Sequence, residues 1–460
     1  MALRTVILAA GQGKRMHSRL PKVLHLLAGK PLLEHVIHTA LTLSPPLLPI
    51  VVYGHQGEQV RQACTHFSVC WVEQKEQLGT GHALLQALPE VTEEDRVLVL
   101  YGDVPLIALD TLQRLIVTTP DADMGLITAH LPMPMGYGRV KRDAQGQVQG
   151  VVEEKDATVE ERAIQEINSG IYLIPAKCLK AWLPQLQNAN VQHEYYLPDV
   201  IALAKAAQVA IHTVQPLHHE EILGVNDRMQ LAELERFYQR RCAEALMCAG
   251  VTIRDPQRID IRGEVYIGKD VTIDVNVILE GNVTIGDDCI IGPATLLRNV
   301  TLGQRVEVKA QSVLEDAKVG DDCVIGPFAR LRPGTILAAK AHVGNFVEVK
   351  NSFVGEQTKI NHLSYIGDSK IGKYVNIGAG TITCNYDGAN KHQTVIGDGA
   401  FIGSNTALVA PVMIGEGATI GAGSTITCDA PSQQLTLARA SQKSIKSWQR
   451  PQKKKQQQEL

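Results

Sequence analysis

From Gly250 to Cys428 an aliphatic residue returns at every sixth position, usually followed by Gly, Asn or Asp. Ile396, Ile402, Leu408, Ile414, Ile420 and Ile426 form one unbroken series. Ile325, Leu331, Leu337, Val343 and Val349 form another, and Val354, Ile360 and Ile366 a third. A helix with about 3.6 residues per turn cannot keep a six-residue period on one face. Short β segments separated by tight bends can, because each bend turns the next aliphatic side chain inward. Gly268, Asp274, Gly286, Gly326, Asn361 and Gly403 stand where the bends are expected, and residues of these types tolerate positive φ. The period therefore predicts a parallel β-helix cored by Ile, Val and Leu and stabilised mainly between neighbouring coils. A purely structural solenoid fits the same pattern.

Two departures from the repeat bear on chemistry. Arg332 and Lys350 each follow an inward residue, Leu331 and Val349, at a separation of 18 residues. If a coil comprises three hexapeptides, the two cations stack on one corner, about 5 Å apart. Their repulsion is then roughly 3 kcal/mol at an effective dielectric near ~20, and an anion between them turns it into attraction. A solvated surface pair is the alternative, and Lys309, Val409 and Thr427 also break the rule. The second departure runs from Thr381 to Thr394, where Ile377 and Ile396 stand 19 residues apart and Cys384-Asn385-Tyr386-Asp387-Gly388 intervenes. A polar loop with one aromatic is expected to leave the solenoid there, and such loops usually carry function.

The chain has 460 residues, enough for two or more domains with ample core. Its 4% aromatic content and 39 glycines suit a β-helix better than an aromatic-rich sandwich. A net charge of -3 argues against nucleic-acid binding. Nine cysteines without a C-x-x-C pair point to reduced thiols in the cytoplasm. Cys289 and Cys323 fall four residues after a repeat aliphatic, where a small core filler is expected. The apolar run Thr5 to Ala10 is too short for a signal peptide, and no other run approaches the roughly 18 residues that span a bilayer.

At the N-terminus, Thr5-Val6-Ile7-Leu8-Ala9-Ala10 reads as a buried parallel strand. It ends in Gly11-Gln12-Gly13-Lys14-Arg15, where glycines let backbone N–H groups approach a phosphate and two cations add charge. This is neither a Walker A loop nor a full G-x-G-x-x-G, and an ordinary strand-to-helix turn has the same composition. Val97-Leu98-Val99-Leu100 reads as a second buried strand, ending in Tyr101-Gly102-Asp103. Ligands gather at the carboxyl ends of parallel strands. An Asp there suits Mg²⁺, although turn and N-cap positions also favour Asp. Strands and helices alternate to about residue 225, so this region is α/β and doubly wound. Asn226-Asp227 is expected to cap a linker helix whose stripe is Leu231, Leu234, Tyr238, Cys242 and Ala245, with Gly250 at its C′ position. The expected domains are 1–226, a linker helix over 227–250, and 251–460. The last of these ends in a polar tail whose Lys453 to Gln458 tip is expected to be disordered.

Leu8-Ala9-Ala10-Gly11, Arg15, Pro21-Lys22-Val23-Leu24-His25, Gln77-Leu78-Gly79-Thr80-Gly81-His82, Tyr101-Gly102-Asp103-Val104-Pro105-Leu106 and Gly136-Tyr137-Gly138-Arg139 resemble sugar-nucleotidyltransferase motifs. Gly378-Ala379-Gly380-Thr381 and Asn385-Tyr386-Asp387-Gly388 follow in the β-helix. In this order they resemble the bifunctional bacterial UDP-N-acetylglucosamine pyrophosphorylase/glucosamine-1-phosphate N-acetyltransferase family across nearly the whole chain. Lys14 departs from the pattern, since that family usually has Thr there. The resemblance implies a Rossmann-like nucleotidyltransferase domain followed by a left-handed parallel β-helix of hexapeptide repeats.

For the first domain the resemblance implies uridylyl transfer from UTP to N-acetylglucosamine-1-phosphate. The sugar phosphate is itself the nucleophile, so catalysis rests on alignment and charge neutralisation. It implies Mg²⁺ on Asp103 and Asn226, with Arg15 and Lys22 stabilising the phosphates. Leu8, Ala9, Ala10, Gly11, Gln74, Gly79, Thr80, Tyr101 and Gly102 are implied around the nucleotide, and Gly138, Glu153, Asn168 and Asn226 around sugar and ribose. Read alone, Glu153 and Asn168 are ordinary polar residues at strand ends. For the second domain it implies acetyl transfer from acetyl-CoA to glucosamine-1-phosphate, with His362 as general base; an imidazole titrates in the range this needs. Arg332, Lys350, Tyr365 and Asn376 are implied on the sugar phosphate, and Ala379, Asn385, Tyr386, Ser404, Ala422 and Arg439 on acetyl-CoA. The family is a cytoplasmic homotrimer with acetyltransfer sites between chains, supplying precursors of peptidoglycan and lipopolysaccharide. No nucleic-acid or membrane partner is implied. A zinc set of His342, His362 and His392, as in a γ-type carbonic anhydrase, is disfavoured by spacings of 20 and 30 that leave the 18-residue register. A nucleotidyltransferase with a merely regulatory β-helix has no use for Arg332, Lys350 and His362 together.

Overall fold

The computed structural model describes residues 2–43, 47–54 and 56–451. The Lys453 to Gln458 tip therefore lies outside the described residues. The chain divides into two compact units, Met1–Ala245 with Ile259–Gly263, and Leu246–Arg258 with Glu264–Leu460.

In the first unit, alternation along buried strands sends side chains to both faces of one sheet. Val6 and Leu8 enter a core with Val52, Val97, Leu84 and Trp182. Ile7 and Ala9 enter the opposite core with Leu98, Leu100, Leu33 and Leu112. Both faces are covered by helices, among them Leu32–Leu43 and Leu109–Thr118 on one side and Thr80–Ala87 and Ala176–Trp182 on the other. The sheet order is Ile211–Val214, Met124–His130, Glu166–Pro175, Asp95–Tyr101, Ala2–Ala9, Ile50–Tyr53, Cys70–Glu73. The chain steps from Ala2–Ala9 first to Ile50–Tyr53 on one side and later to Asp95–Tyr101 on the other. That reversal opens a crevice at the strands' carboxyl ends. One strand departs from the all-parallel pattern: Glu166–Pro175 runs antiparallel to both neighbours. It follows the hairpin of Arg139–Arg142 and Val148–Val152 and so needs no helical crossover to reverse direction.

The helix Arg228–Cys248 starts where expected. Asp227 Oδ1 accepts from the N–H groups of Met229 and Gln230, both at 2.9 Å. Its buried stripe differs from the apolar reading: Leu234, Gln239 and Ala243 are buried and Ala245 is exposed. Gln239 is tolerated in the interior because its amide bonds the Ile261 backbone in both directions, at 2.8 and 2.6 Å.

The second unit is a left-handed parallel β-helix of hexapeptide repeats. One face is an 11-stranded parallel sheet. A 17-stranded sheet forms the other two, because its alternate strands stack as Leu297, Leu314, Leu331, Val349 and Ile366, and as Leu302, Val319, Leu337, Val354 and Ile371. Every one of these aliphatics is buried, as are Cys289 and Cys323.

Three details correct the sequence reading. Of the six bend residues named above, only Gly326 has positive φ; the left-handed residues stand two positions later, at Asp270, Asn276, Asp288, Leu363 and Asn405. The glycines answer a different demand. A Cβ on Gly286 would lie 2.5 Å from the Gly303 carbonyl oxygen of the next coil. Most successive coils also take 17 or 18 residues, as in Val308↔Ile325 and Ile325↔Val343, because corners differ in length. Ile377 pairs with Ile402 and Ile371 with Ile396, so the protruding loop enlarges one coil to 25 residues.

Candidate active sites

Leu8 pairs with Tyr101 across adjacent parallel strands, which sets the turn after Ala9 beside the turn after Tyr101. Between them lies a cavity of about 510 Å³. Leu8, Ala10, Gly11, Arg15, Lys22, Gln74, Gly79, Thr80, Tyr101 and Asn226 line it, and so do Gln12, Gly13, Lys14, Gln77, Ala83 and Glu194. Ala9 is buried beneath it and Gly102 N–H donates to the Leu8 carbonyl at 2.9 Å. Gly13 takes φ 60, and a Cβ there would meet Lys22 Cβ at 2.6 Å. The glycine thus lets the lysine stem pack against the loop. Its ammonium bonds Asp103 Oδ2 and lies 3.3 Å from Asn226 Oδ1. A carboxylate and an amide oxygen, brought together from two separate turns, already hold one cation.

At the far wall, Gln74 is buried. Its Nε2 donates to the Gly79 carbonyl at 3.2 Å and lies 3.0 Å from His82 Nδ1. Thr80 Oγ1 accepts from Leu197 N–H at 3.1 Å. Gly138, Glu153 and Asn168 do not line this cavity and form a second cluster. A Cβ on Gly138 would meet Glu153 Oε1 at 3.0 Å, and Asn168 N–H donates to the Gly138 carbonyl at 2.9 Å. Asn168 Oδ1 accepts from Tyr172 Oη at 3.0 Å. Burial, then the neighbouring carboxylates of Asp156 and Asp199, push the Glu153 carboxyl up to about 7 against the pull of Arg139. Burial likewise raises the Tyr101 phenol, with Glu153 adding to the effect.

On the β-helix, Arg332 and Lys350 stack in successive coils, each following one of the paired residues Leu331 and Val349, and Tyr365 of the next coil lies opposite Glu348. The stacking follows the sequence reading, but each cation has its own acid: Arg332 Nη1 lies 2.8 Å from Glu348 Oε1 and Lys350 Nζ 3.5 Å from Asp368 Oδ2. The bare repulsion reckoned from spacing is thereby offset. The protruding loop folds back, Tyr386 bridging Lys391 and His392 N–H donating to the Asn385 carbonyl at 2.8 Å. That return brings a third cation, Lys391, whose charge is disfavoured first of all by Lys350. Asp387 anchors the loop, its carboxyl held well below the usual range by the Asn390 N–H and by His392. Lys391 lacks any repeat position, so spacing offered no signal for it.

His362 and Asn376 lie on strands of the 11-stranded face, whereas Lys350 and Tyr365 belong to the 17-stranded sheet and Arg332 directly follows its strand Arg330–Leu331. His362 borders a cavity of about 230 Å³ with Asn345, Asn361, His342 and Lys309. Its Nδ1 lies 2.9 Å from Asn345 Oδ1. An Nδ1–H donated to that oxygen leaves Nε2 free to take a proton. Asn345 sits opposite His362 in the coil before, a partner that an 18-residue reading misses by one place. Ala379, Ser404 and Ala422 follow one another along a corner: Asn405 N–H donates to the Ala379 carbonyl at 2.7 Å and Gly423 N–H to the Ser404 carbonyl at 2.8 Å. Arg439 Nη1 closes the row on the Ala422 carbonyl at 2.6 Å. Tyr386 is exposed and Asn385 buried.

A family model described as a MobA-like NTP transferase domain matches residues 5–154. One described as a GMPPB C-terminal domain matches 261–354, and one described as a bacterial transferase hexapeptide (six repeats) matches 393–428. Relatives named "Bifunctional protein GlmU" align almost end to end. That of Marinobacter nauticus is 55% identical over 98% of this chain and 99% of its own. Those of Stutzerimonas stutzeri and Pseudomonas putida are each 56% identical over 99% of this chain and 100% of theirs.

Proposed function

Because the chain belongs to the bifunctional GlmU family, we propose that each of its two units holds one active site for the synthesis of UDP-N-acetylglucosamine. The enzyme is a glucosamine-1-phosphate N-acetyltransferase and a UDP-N-acetylglucosamine uridylyltransferase. The acetyl step comes first, on the β-helix. Arg332, Lys350 and Lys391 bind the sugar phosphate with Tyr365 and Asn376. His362 Nε2 takes the proton that the attacking amine must lose. The row of Ala379, Ser404, Ala422 and Arg439, with Asn385 and Tyr386, takes acetyl-CoA. His362 and the cation cluster stand on different sheets of one chain, which favours a homotrimer whose sites are completed between chains.

The second step belongs to the cavity of the first unit. Gln74, Gly79 and Thr80 bind the uracil end of UTP, Gly11 to Arg15 its phosphates, and Gly138, Glu153 and Asn168 the sugar. A phosphate oxygen of N-acetylglucosamine-1-phosphate attacks the α-phosphorus and pyrophosphate leaves. The oxygens of Asp103 and Asn226 already hold an ammonium, and this hard donor pair fits Mg²⁺. Bound there, Mg²⁺ would supply positive charge to the phosphates. Lys22 is held beside the phosphate loop because its stem packs on Gly13, where its charge also serves the phosphates. No helix among the described residues is long and apolar enough to cross a membrane, and we place the reaction in the cytoplasm with its substrates. This reading is carried by the meeting of the glycine loop, Lys22 and Asn226 at one cavity, with Asp103 bonded to the Lys22 ammonium. Incubation with glucosamine-1-phosphate, acetyl-CoA, UTP and Mg²⁺ should give CoA, pyrophosphate and UDP-N-acetylglucosamine by mass spectrometry. A product set lacking the nucleotide sugar would refute it.

A further inference from the structure

Asp368 stands at a corner of the β-helix on left-handed backbone (φ 49) and is mostly buried, its side chain 12% exposed. Its carboxylate is fixed from both sides. Oδ1 accepts from Asn351 Nδ2 of the preceding coil at 2.6 Å, and Oδ2 accepts from Asn385 Nδ2 of the following coil. Its N–H donates to the Lys350 carbonyl at 3.0 Å. The carboxylate is thus fixed without help from the Lys350 side chain, whose ammonium leans on Oδ2 at 3.5 Å. A charge-assisted N–H···O bond at full strength is about 2.7–2.9 Å, so Lys350 is steered by Asp368 and keeps donors for another anion. The same carboxylate favours the charge on Lys391, which Lys350 and Arg332 oppose. Arg332 is itself held by Glu348 at 2.8 Å.

We propose that Asp368 is a positioning residue of the acetyltransfer site, holding Lys350 and the Asn385 amide in place so that Lys350 and Lys391 face a sugar phosphate side by side. The proposal rests on the reading of Lys350 as a phosphate-binding group. Asp368→Asn keeps the size and one acceptor but turns an amide donor toward Asn385 and Lys350. In the full-length variant, KM for glucosamine-1-phosphate should rise about tenfold at pH 7.5, with kcat falling less than threefold. The rise should steepen toward pH 9, because Lys391 beside Lys350 gives up its proton more readily without the carboxylate. Asn351→Ala, which removes one of the two bonds that fix Asp368, should raise KM in the same direction by about threefold, and it serves as the test if Asp368→Asn does not fold. A folded Asp368→Asn enzyme whose KM stays within twofold of the parent from pH 7 to 9 would overturn the proposal. So would a fall in KM, which would make the acid a competitor of the phosphate. Lys350→Ala separates the two failures: if it too leaves KM unchanged, the phosphate-binding reading is lost, whereas a raised KM there confines the failure to Asp368.

Discussion

Glu153→Gln isolates the electrostatics of the sugar-side cluster. The carboxyl moves from an ordinary 4.5 to about 7 on folding, first through burial and then through Asp156 and Asp199. The native state therefore holds a proton that the unfolded chain has released between those values. Stability from this group is fully present below pH 4.5 and is lost as pH rises through 7. At about 1.4 kcal/mol per pH unit, ionised Glu153 costs the first unit roughly 3 kcal/mol above neutrality. Glutamine carries the same shape without the charge. Melting should then be little changed at pH 5 and raised at pH 8 by about 6 to 12 °C, taking ~2–4 °C per kcal/mol for a unit of this size. Trp71 and Trp182 lie in the first unit, and Trp448 of the second is already exposed in the native state, so the change in intrinsic fluorescence follows unfolding of the first unit in the full-length chain. An equal difference between variant and parent at both pH values would show that Glu153 does not ionise at a cost to the first unit.

Two further outcomes follow from the sites. Lys350→Ala should weaken use of glucosamine-1-phosphate about ten- to a hundredfold, a loss of ~1.5–3 kcal/mol in a charge-assisted contact. Asp368 keeps its bonds to Asn351 and Asn385 when the ammonium is removed, so melting should move by only a few degrees; kinetics beside thermal unfolding reads both. Lys22→Met removes the cation that lies on Asp103 and Asn226. The nucleotide-free variant should bind Mn²⁺ more tightly by electron paramagnetic resonance while uridylyl transfer falls, and unchanged Mn²⁺ affinity would show that Lys22 does not compete for those oxygens.

Much of this architecture was legible because the hexapeptide period is enforced sterically: each inward Ile, Val or Leu meets its counterpart in the next coil. The glycine loop was legible because Gly13 must admit Lys22 at close range. Period alone does not say which corner is shortened, so the 17-residue coils and the Asn345–His362 pair escaped it. Nor does it distinguish a glycine required by φ from one required by the approach of the next coil, which is why the left-handed residues were placed two positions early. Lys391 and Glu194 reach their sites by loop paths that no local pattern encodes. Gln239 occupies a helix core because of a backbone partner distant in sequence.

The active sites of the two units should share a diffusible intermediate, N-acetylglucosamine-1-phosphate. Asp103→Asn and His362→Ala test it when each full-length variant is given glucosamine-1-phosphate, acetyl-CoA, UTP and Mg²⁺, first alone and then mixed. Alone, the first should accumulate N-acetylglucosamine-1-phosphate and the second should release CoA at a small fraction of the parent rate. Mixed, they should restore UDP-N-acetylglucosamine formation. A mixture of the two folded variants that still makes no UDP-N-acetylglucosamine would contradict a diffusible intermediate passing between the two sites.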